Sequence, residues 1–244
     1  MMSAAAVIAA GATFGTLALS ANAAPLALAG GPFAGLTADQ IAKKAAADLE
    51  AASSFHYHGS GRASGQTVSI SMSVTHTGCT GSIGDGRNGG FAILAIRKTV
   101  WIRPNDKFWE YVGVPASRLP AVHGKWLLIT GTGSSSLLAA FAPFCSANKL
   151  VSMLAPQLTG LVKGATIKIS GHRALQLRNG SGQESIYVSI SGKPEILRIT
   201  DGGHVNFSAY GARVTLTPPP ASDVIKLPGA SLPAHSLQHL LQGT

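Results

Sequence analysis

The feature that most constrains the fold is a strict alternation over residues 67–75, TVSISMSVT. Thr and Ser occupy the odd positions, and Val68, Ile70, Met72 and Val74 occupy the even ones. Successive side chains of a β-strand point to opposite faces of a sheet, so this period is typical of a strand with one buried face and one wet face. The stretch predicts an antiparallel sheet that is apolar on one side and rich in hydroxyl groups on the other.

Further strands are predicted after this one, in two series. The first comprises residues 79–83, the apolar run FAILAI at 91–96, which contains Ile93, and TVWIR at 99–103. The second runs from 166 to 217 and is divided by turn signals such as Asn179-Gly180 and Asp201-Gly202-Gly203. Its clearest alternation places three residues on one face, namely Ile186, Val188 and Ile190. The two series resemble a weak internal repeat, which favours one large curved sheet over two domains.

Helices are predicted before and between the two series. Thr37-Ala-Asp-Gln40 matches a capping box, and the apolar positions that follow have a helical period, so a helix is expected over about 37–53. Residues 105–163 are expected to form an insert containing two short apolar helices, the first capped by Ser134–Ser136 and the second ending near Pro156. Cys145 lies in the joint between these two helices.

The ends of the chain differ in composition from its middle. Residues 1–23 are apolar and finish in Ala21-Asn22-Ala23, a small-x-small pattern typical of a cleaved signal peptide. An uncleaved membrane anchor is the alternative, although Gly11 and Gly15 interrupt the apolar run. We expect a flexible segment at 24–36, one folded domain at 37–229 and a flexible tail at 230–244.

The charge balance is basic, with 19 Lys and Arg against 10 Asp and Glu and a formal net charge of +9. The cations are scattered singly along the sequence, and no arginine-rich or RNA-binding motif is present, so a nucleic-acid partner is not expected. A basic surface of this kind suits anionic lipid headgroups or simply increases solubility.

Cys79 and Cys145 are the two cysteines of the chain. In a protein directed outside the cytoplasm, an even pair most simply forms a disulfide. Two unrelated buried thiols remain the alternative. A metal site is less favoured, because apart from His76 neither cysteine has a Cys or His at ligand spacing.

The sequence carries no recognisable catalytic or metal-binding motif. The sequence has no G-x-S-x-G, no H-E-x-x-H and no paired-carboxylate pattern, so no catalytic residue and no cofactor is predicted. His56 and His58 share one strand face, but neither His76 nor His204 is fixed beside them as a third ligand, and we interpret the pair as solvated outer-face residues. No metal site is predicted.

The order of these elements resembles the LolA-like lipoprotein-carrier superfamily, and most closely the LprG/LppX-type extracytoplasmic lipoproteins. The resemblance covers roughly 37–229. It is carried by the opening helix ADQIAKKAAADLEAASSFHYHGSG, TVSISMSVTHTGCTGSI, KTVWIRPNDKFWEYVG, GKWLLIT, the FC before the second inserted helix, and the stretch ending at VTLTPPPASDVIKLPG.

This resemblance implies an α+β fold, an open half-barrel of antiparallel strands wrapped over helices, with an apolar cavity that holds acyl chains. The residues then expected to contact lipid are Val68, Ile70, Met72, Val74, Ile93, Ile186, Val188 and Ile190, with Trp101, Trp109 and Trp126 at the cavity rim. The disulfide would hold the helical insert over the cavity. Members of the group are often anchored by a lipidated cysteine after the signal, which is not expected here because no cysteine precedes Cys79.

The resulting functional hypothesis is a secreted or envelope-associated, non-catalytic carrier or chaperone of lipids or acylated molecules. The alternative is a sensor or interaction module on the same scaffold that binds a protein partner. A continuous apolar cavity would favour the carrier, whereas filling by Phe141, Phe144, Leu150 and Met153 would favour the module.

Overall fold

The computed structural model of this protein describes residues 32–63, 65–129 and 143–225. The predicted signal peptide at 1–23, the segment 24–31, the first inserted helix with Phe141, and the predicted tail at 230–244 lie outside the described residues.

The described residues contain twelve strands that belong to one sheet. They are β1 Ser54–Ala63, β2 Gln66–Thr75, β3 Gly78–Asp85, β4 Gly89–Ile96, β5 Thr99–Pro104, β6 Trp126–Ile129, β7 Val162–Ile169, β8 His172–Arg178, β9 Ser185–Ser189, β10 Ile196–Thr200, β11 His204–Ser208 and β12 Val224–Ile225. Their order across the sheet is β12-β6-β5-β4-β3-β2-β1-β11-β10-β9-β8-β7. Neighbours are antiparallel, apart from the two-residue β12, which runs parallel to β6.

The sheet consists of two meanders joined by one long-range pairing. β1 to β6 pair in chain order, and so do β7 to β11. The two series meet where β1 pairs with β11, in a register that opposes Tyr57 to Phe207 and Gly59 to Val205. The weak repeat in the sequence therefore corresponds to two halves of a single sheet.

The described helices are α1 Ala38–Ala51, α2 Asp106–Tyr111, α3 Leu119–Val122 and α4 Ala147–Leu154, with 3-10 turns at Ala116–Arg118, Ala155–Leu158 and Ala221–Asp223. α1 begins at the predicted capping box, in which Thr37 Oγ1 accepts from the Gln40 amide and Gln40 Oε1 accepts from the Thr37 amide. The buried side of α1, which includes Ile41 and Leu49, packs towards β7, β9, β10 and α4. We call the sheet face on this side the inner face and the opposite one the outer face.

Asp39 ties the start of α1 to the segment that leads into β7. Its two carboxylate oxygens accept from the backbone amides of Gly160 and Leu161, at 3.1 and 2.8 Å. The helix and the outermost strand of the second meander are thus joined by charge-assisted hydrogen bonds, which are stronger than neutral ones.

The predicted fold, an α+β open half-barrel of antiparallel strands over helices, is confirmed. Two local predictions differ. Residues 212–217, predicted as a strand, lie outside the twelve strands, because β11, the strand before them, is already paired on both sides by β10 and β1. α2 was not predicted, although Asn105 caps it by accepting from the Phe108 amide. Within the described residues, no helix is both long and apolar enough to cross a membrane.

Candidate functional site

A largely apolar cavity of about 350 Å³ lies between the inner face of the sheet and α4. Strands β1, β2, β3, β10 and β11 form its floor, and α4 with the residues that flank it forms its cover. The apolar side chains of the floor are Tyr57, Val68, Ile70, Ile83, Ile199, Val205 and Phe207, and those of the cover are Phe144, Leu150, Met153 and Leu154.

Glycines on β1 leave room for the cavity. Gly59 pairs with Ile70 on one side and Val205 on the other, and Gly61 pairs with Val68. Paired residues point to the same face, so both glycines occupy inner-face positions where a side chain would otherwise stand. A Cβ added at Gly61 would meet no atom within 4 Å. At Gly61 the β1 strand therefore contributes open space to the cavity, whereas at Gly59 a Cβ would be 2.1 Å from the His204 oxygen, so that glycine allows a close approach of β11.

Two links hold the cover against the floor. A disulfide joins Cys79 on β3 to Cys145, two residues before α4 begins, so the predicted disulfide is confirmed. The Tyr57 hydroxyl donates to the Phe144 carbonyl at 2.8 Å. Ser146 caps α4, and its hydroxyl accepts from the Lys149 amide at 3.4 Å. The covalent link and the hydrogen bond act at adjacent residues and fix where the helix lies over the cavity.

The Tyr57 phenol is suited to this role. Burial raises the pKa of Tyr57 well above its usual range, because the phenolate would lose its hydration inside the core. The hydroxyl thus keeps its proton and remains a donor across the physiological pH range.

One side of the cavity is polar and forms its mouth. Arg62, Gln157, Asp201 and His204 all line this part. Gln157 Nε2 donates to Asp201 Oδ2 at 3.3 Å, which links the 3-10 turn after α4 to the turn between β10 and β11. An apolar interior with a few polar groups at one side is the usual composition of a small-molecule pocket.

The residues predicted to contact lipid fall into two groups. Val68 and Ile70 line the cavity. The other six are buried in the same hydrophobic core without lining it: Met72, Val74, Ile93, Ile186, Val188 and Ile190. They share the inner face with the cavity residues, but further along the strands or beneath α1. The alternation of the sequence identified the inner face of the sheet. It could not identify which part of that face lines the cavity.

The three tryptophans are not brought to the mouth of this cavity. Trp109 is buried on α2, edge-on to Phe108. Trp101 alternates with the buried Val100 and Ile102 and is therefore on the outer face. Trp126 is also on the outer face, with the Arg103 guanidinium 4.9 Å from its ring centroid.

The two histidines of β1 lie on the outer face as predicted. Their ring centroids are 5.7 Å apart, and His56 Nδ1 is 3.1 Å from Ser73 Oγ. The pKa of His56 is lowered, mainly by burial and also by the neighbouring His58. Within the described residues, no group of three or more His, Cys, Asp and Glu is placed to hold a metal ion.

A second, more open groove of about 600 Å³ follows the turn between β3 and β4. The turn is organised by Asp85, whose carboxylate accepts from the amides of Arg87 and Asn88. His123 Nδ1 is 3.0 Å from Asp106 Oδ1 at the side of the groove. Its glycines and capping groups serve the turn itself.

Several residues of the site had no signal in the sequence. Val205 and Phe207 reach the cavity through the β1–β11 pairing, which joins positions far apart in the chain. The hydrogen bond from Tyr57 to Phe144 joins residues 87 positions apart, so no local pattern in the sequence indicates it.

Together, the fold and the site define an α+β protein with an open antiparallel sheet and an apolar cavity beneath a tethered helix. No protein-family model matches the chain, and no curated protein matches it. Solved structures that are similar to it include LprF from Mycobacterium bovis, at 11% identity and a TM-score of 0.48, covering 75% of this chain and 96% of that one. A DUF1329 family protein from Desulfovibrio piger is similar at 12% identity and a TM-score of 0.24, covering 73% and 93% respectively. At such identities and TM-scores, the function has to be argued from this chain's own residues.

Proposed function

We propose that the protein is a non-catalytic, extracytoplasmic carrier or chaperone that holds an acyl chain of a lipid or lipidated molecule in the cavity under α4. The observation that carries this proposal is the cavity itself, about 350 Å³ of mainly apolar space beside the hydrophobic core. Removing apolar surface from water is favourable, and an apolar chain in the cavity would also make van der Waals contacts with its lining.

The volume of the cavity suits one chain. A water molecule takes up about 30 Å³ of liquid volume, and a methylene is of similar size, so the cavity accommodates about twelve such units. At about 0.8 kcal/mol for each buried methylene, one chain provides enough apolar burial to offset part of the cost of association. A polar head would then emerge beside Arg62, Gln157 and His204, where the cavity is polar.

The cover residues favour the carrier over the interaction module. Phe144, Leu150 and Met153 line the cavity and leave it open rather than filling it. The extracytoplasmic location is supported by the disulfide, since such bonds persist in oxidising compartments.

The first test is native mass spectrometry of the protein secreted from a host cell, followed by organic extraction. The expected result is an additional mass that is released as a lipid, or that appears after incubation with offered phospholipid or fatty acid. A bare mass in both conditions would contradict the carrier function and leave the protein-binding module as the better candidate.

The variant Gly61→Leu links this binding to the described cavity. Its side chain would extend from an inner-face position with no atom within 4 Å of the Cβ, so it is expected to occupy the cavity without disturbing the strand. The matched control is Thr67→Leu, which adds the same side chain to the exposed outer face at the neighbouring position of β2. Retained lipid is expected to fall at least about tenfold in Gly61→Leu and to stay unchanged in Thr67→Leu. Equal retention in both would place the lipid elsewhere.

A further inference from the structure

We propose that the end of the sheet around the cavity mouth docks on an anionic lipid bilayer. This mouth end is defined by the strand register, which aligns residues from seven strands along one edge: Arg62 with Thr67, and Ser60 with His204, Thr200, Ser185, Arg178 and Val162. The turn that holds Arg87 extends from the same edge, since Val68 pairs with Asp85 at its base.

The cations of the mouth end are exposed and not used by the fold. Arg62, Arg87, Lys163 and Arg178 are all exposed. Among the described residues, the two side-chain ion pairs join His123 to Asp106 and Lys125 to Asp223, and neither includes these four. Their charges are therefore directed to the solvent.

The acidic groups of the same end accept hydrogen bonds from neutral donors and are set back from the exposed cations, since Asp85 is buried, Asp39 and Glu184 are half-buried, and Asp201 is the exposed one of the four. Asp85 caps the turn at Arg87, Asp201 accepts from Gln157, and Glu184 accepts from Asn179. Asp39 accepts from the backbone before β7. The sequence contributes no Asp or Glu between Glu110 and Glu184, a stretch that includes α4, β7 and β8.

Exposed apolar side chains accompany these cations. Met153 on α4 is 54% exposed and also lines the cavity, and Val162 at the start of β7 is 47% exposed. Cations next to solvent-exposed apolar groups are the composition of a surface that lies in the interface of an anionic membrane. A nucleic acid would use the charges and leave the apolar side chains in water, so a bilayer is the partner that this surface fits best.

Docking in this orientation would direct the cavity mouth at the membrane. The role of this orientation in loading or releasing cargo rests on the proposed carrier function. The binding of the surface to a bilayer does not, because it requires no cargo in the cavity. The two ideas can therefore fail separately.

The test measures cosedimentation of the secreted protein with vesicles of phosphatidylcholine alone or with 30% phosphatidylglycerol added. The mouth-end variant Arg62→Gln, Arg87→Gln, Lys163→Gln and Arg178→Gln is compared with a far-end variant of equal charge. The latter carries Lys98→Gln, Lys168→Gln, Arg173→Gln and Lys193→Gln, which lie in or beside turns at the opposite ends of the strands and are exposed. Each cation near an anionic surface contributes about fivefold in binding.

The mouth-end variant is expected to bind the anionic vesicles about six hundredfold more weakly if all four cations contact the membrane, and the far-end variant less than tenfold more weakly. Binding of the unaltered protein should decrease with added salt, and Val162→Ser should weaken it further at high salt. Equal losses in the two charge variants, or equal binding to neutral vesicles, would overturn the proposal. Gly61→Leu should bind vesicles normally, which separates docking from cargo binding, and far-ultraviolet circular dichroism checks that each variant is folded.

Discussion

At the scale of single residues, two phenols, one buried and one half-buried, connect different elements of the structure. The Tyr57 hydroxyl donates to Phe144 beside the cavity, and the Tyr210 hydroxyl donates to the Ile196 carbonyl at 2.7 Å. Burial raises the pKa of both above the usual range, and at Tyr210 the negative charges of Glu195 and Asp48 act in the same direction. Both groups therefore stabilise the fold only while they carry a proton.

This arrangement predicts a loss of stability at alkaline pH. The unfolded phenols release their protons above about pH 10, whereas the folded ones retain theirs, so the unfolded state binds fewer protons and the free energy of unfolding decreases as pH rises. Each such tyrosine contributes a slope of about 1.4 kcal/mol per pH unit above that point.

Urea unfolding between pH 8 and pH 11 measures this slope. The double variant Tyr57→Phe with Tyr210→Phe is expected to be less stable at pH 8, by about 1 kcal/mol for each lost hydrogen bond, and to have a shallower slope above pH 10. Tyr111→Phe, at an exposed position, serves as the control and should keep the slope of the unaltered protein. An unchanged slope in the double variant would show that these phenols do not cause the loss.

At the scale of elements, α4 is a short helix whose position depends on its attachments. It has eight residues, of which Leu154 is the buried one, so packing alone fixes it weakly. The disulfide from Cys79 closes a loop over a sequence separation of 66 residues. Restricting the unfolded chain to this extent contributes about 4 kcal/mol in the chain-entropy model.

Replacing both cysteines, Cys79→Ser with Cys145→Ser, is therefore expected to lower the free energy of unfolding by about 4 kcal/mol and to decrease the amount of retained lipid. Urea unfolding and organic extraction measure the two effects. Reduction of the unaltered protein with dithiothreitol should reproduce both. The prediction would be wrong if the double variant, the reduced protein and the oxidised protein all had the same free energy of unfolding. The disulfide would then have no part in holding α4.

The elements also show what the sequence could reveal and what it could not. The capping box of α1 and the alternation of β2 depend on residues within a few positions of each other, so both could be predicted locally. The Asn105 cap of α2 is equally local, and an N-cap asparagine followed by an acidic first turn would have indicated this helix. Residues 212–217 alternate like a strand, but an alternating segment needs a free strand edge to pair with, and that depends on the rest of the sheet.

The site was less predictable than the strands because it depends on positions where a side chain is missing. Val68 and Ile70 belong to the same alternating run as Met72 and Val74, yet only the first two line the cavity. They differ in what stands opposite: Gly61 and Gly59 face the first pair, whereas Tyr57 and Phe55 face the second. The periodicity of the sequence indicates which face of the sheet a residue lies on. Whether the space at that face is filled depends on the side chain of its partner on the neighbouring strand.

At the scale of the whole molecule, the two meanders depend on the pairing of β1 with β11, the longest-range contact of the sheet. The backbones approach closely there. A Cβ on Gly59 would be 2.1 Å from the His204 oxygen, and one on Gly203 would be 2.3 Å from the Ser60 oxygen. Glycine at these two positions allows the halves to meet, and the cavity lies across the same junction, with floor residues from both meanders.

Gly59→Ala should therefore weaken the junction and with it the whole sheet. The added methyl must push backbone against backbone, which costs about 1–3 kcal/mol of unfolding free energy. The matched control is Gly61→Ala, two residues along the same strand, where the new Cβ meets no atom within 4 Å and the less flexible unfolded chain leaves stability unchanged or slightly higher. Urea unfolding followed by tryptophan fluorescence measures both.

The tryptophans all belong to the first meander or its insert. A separation of the two halves would therefore appear as a fluorescence transition that no longer coincides with the transition in far-ultraviolet circular dichroism. Equal stability of the two variants would mean that the junction tolerates a side chain and that the halves are held together elsewhere.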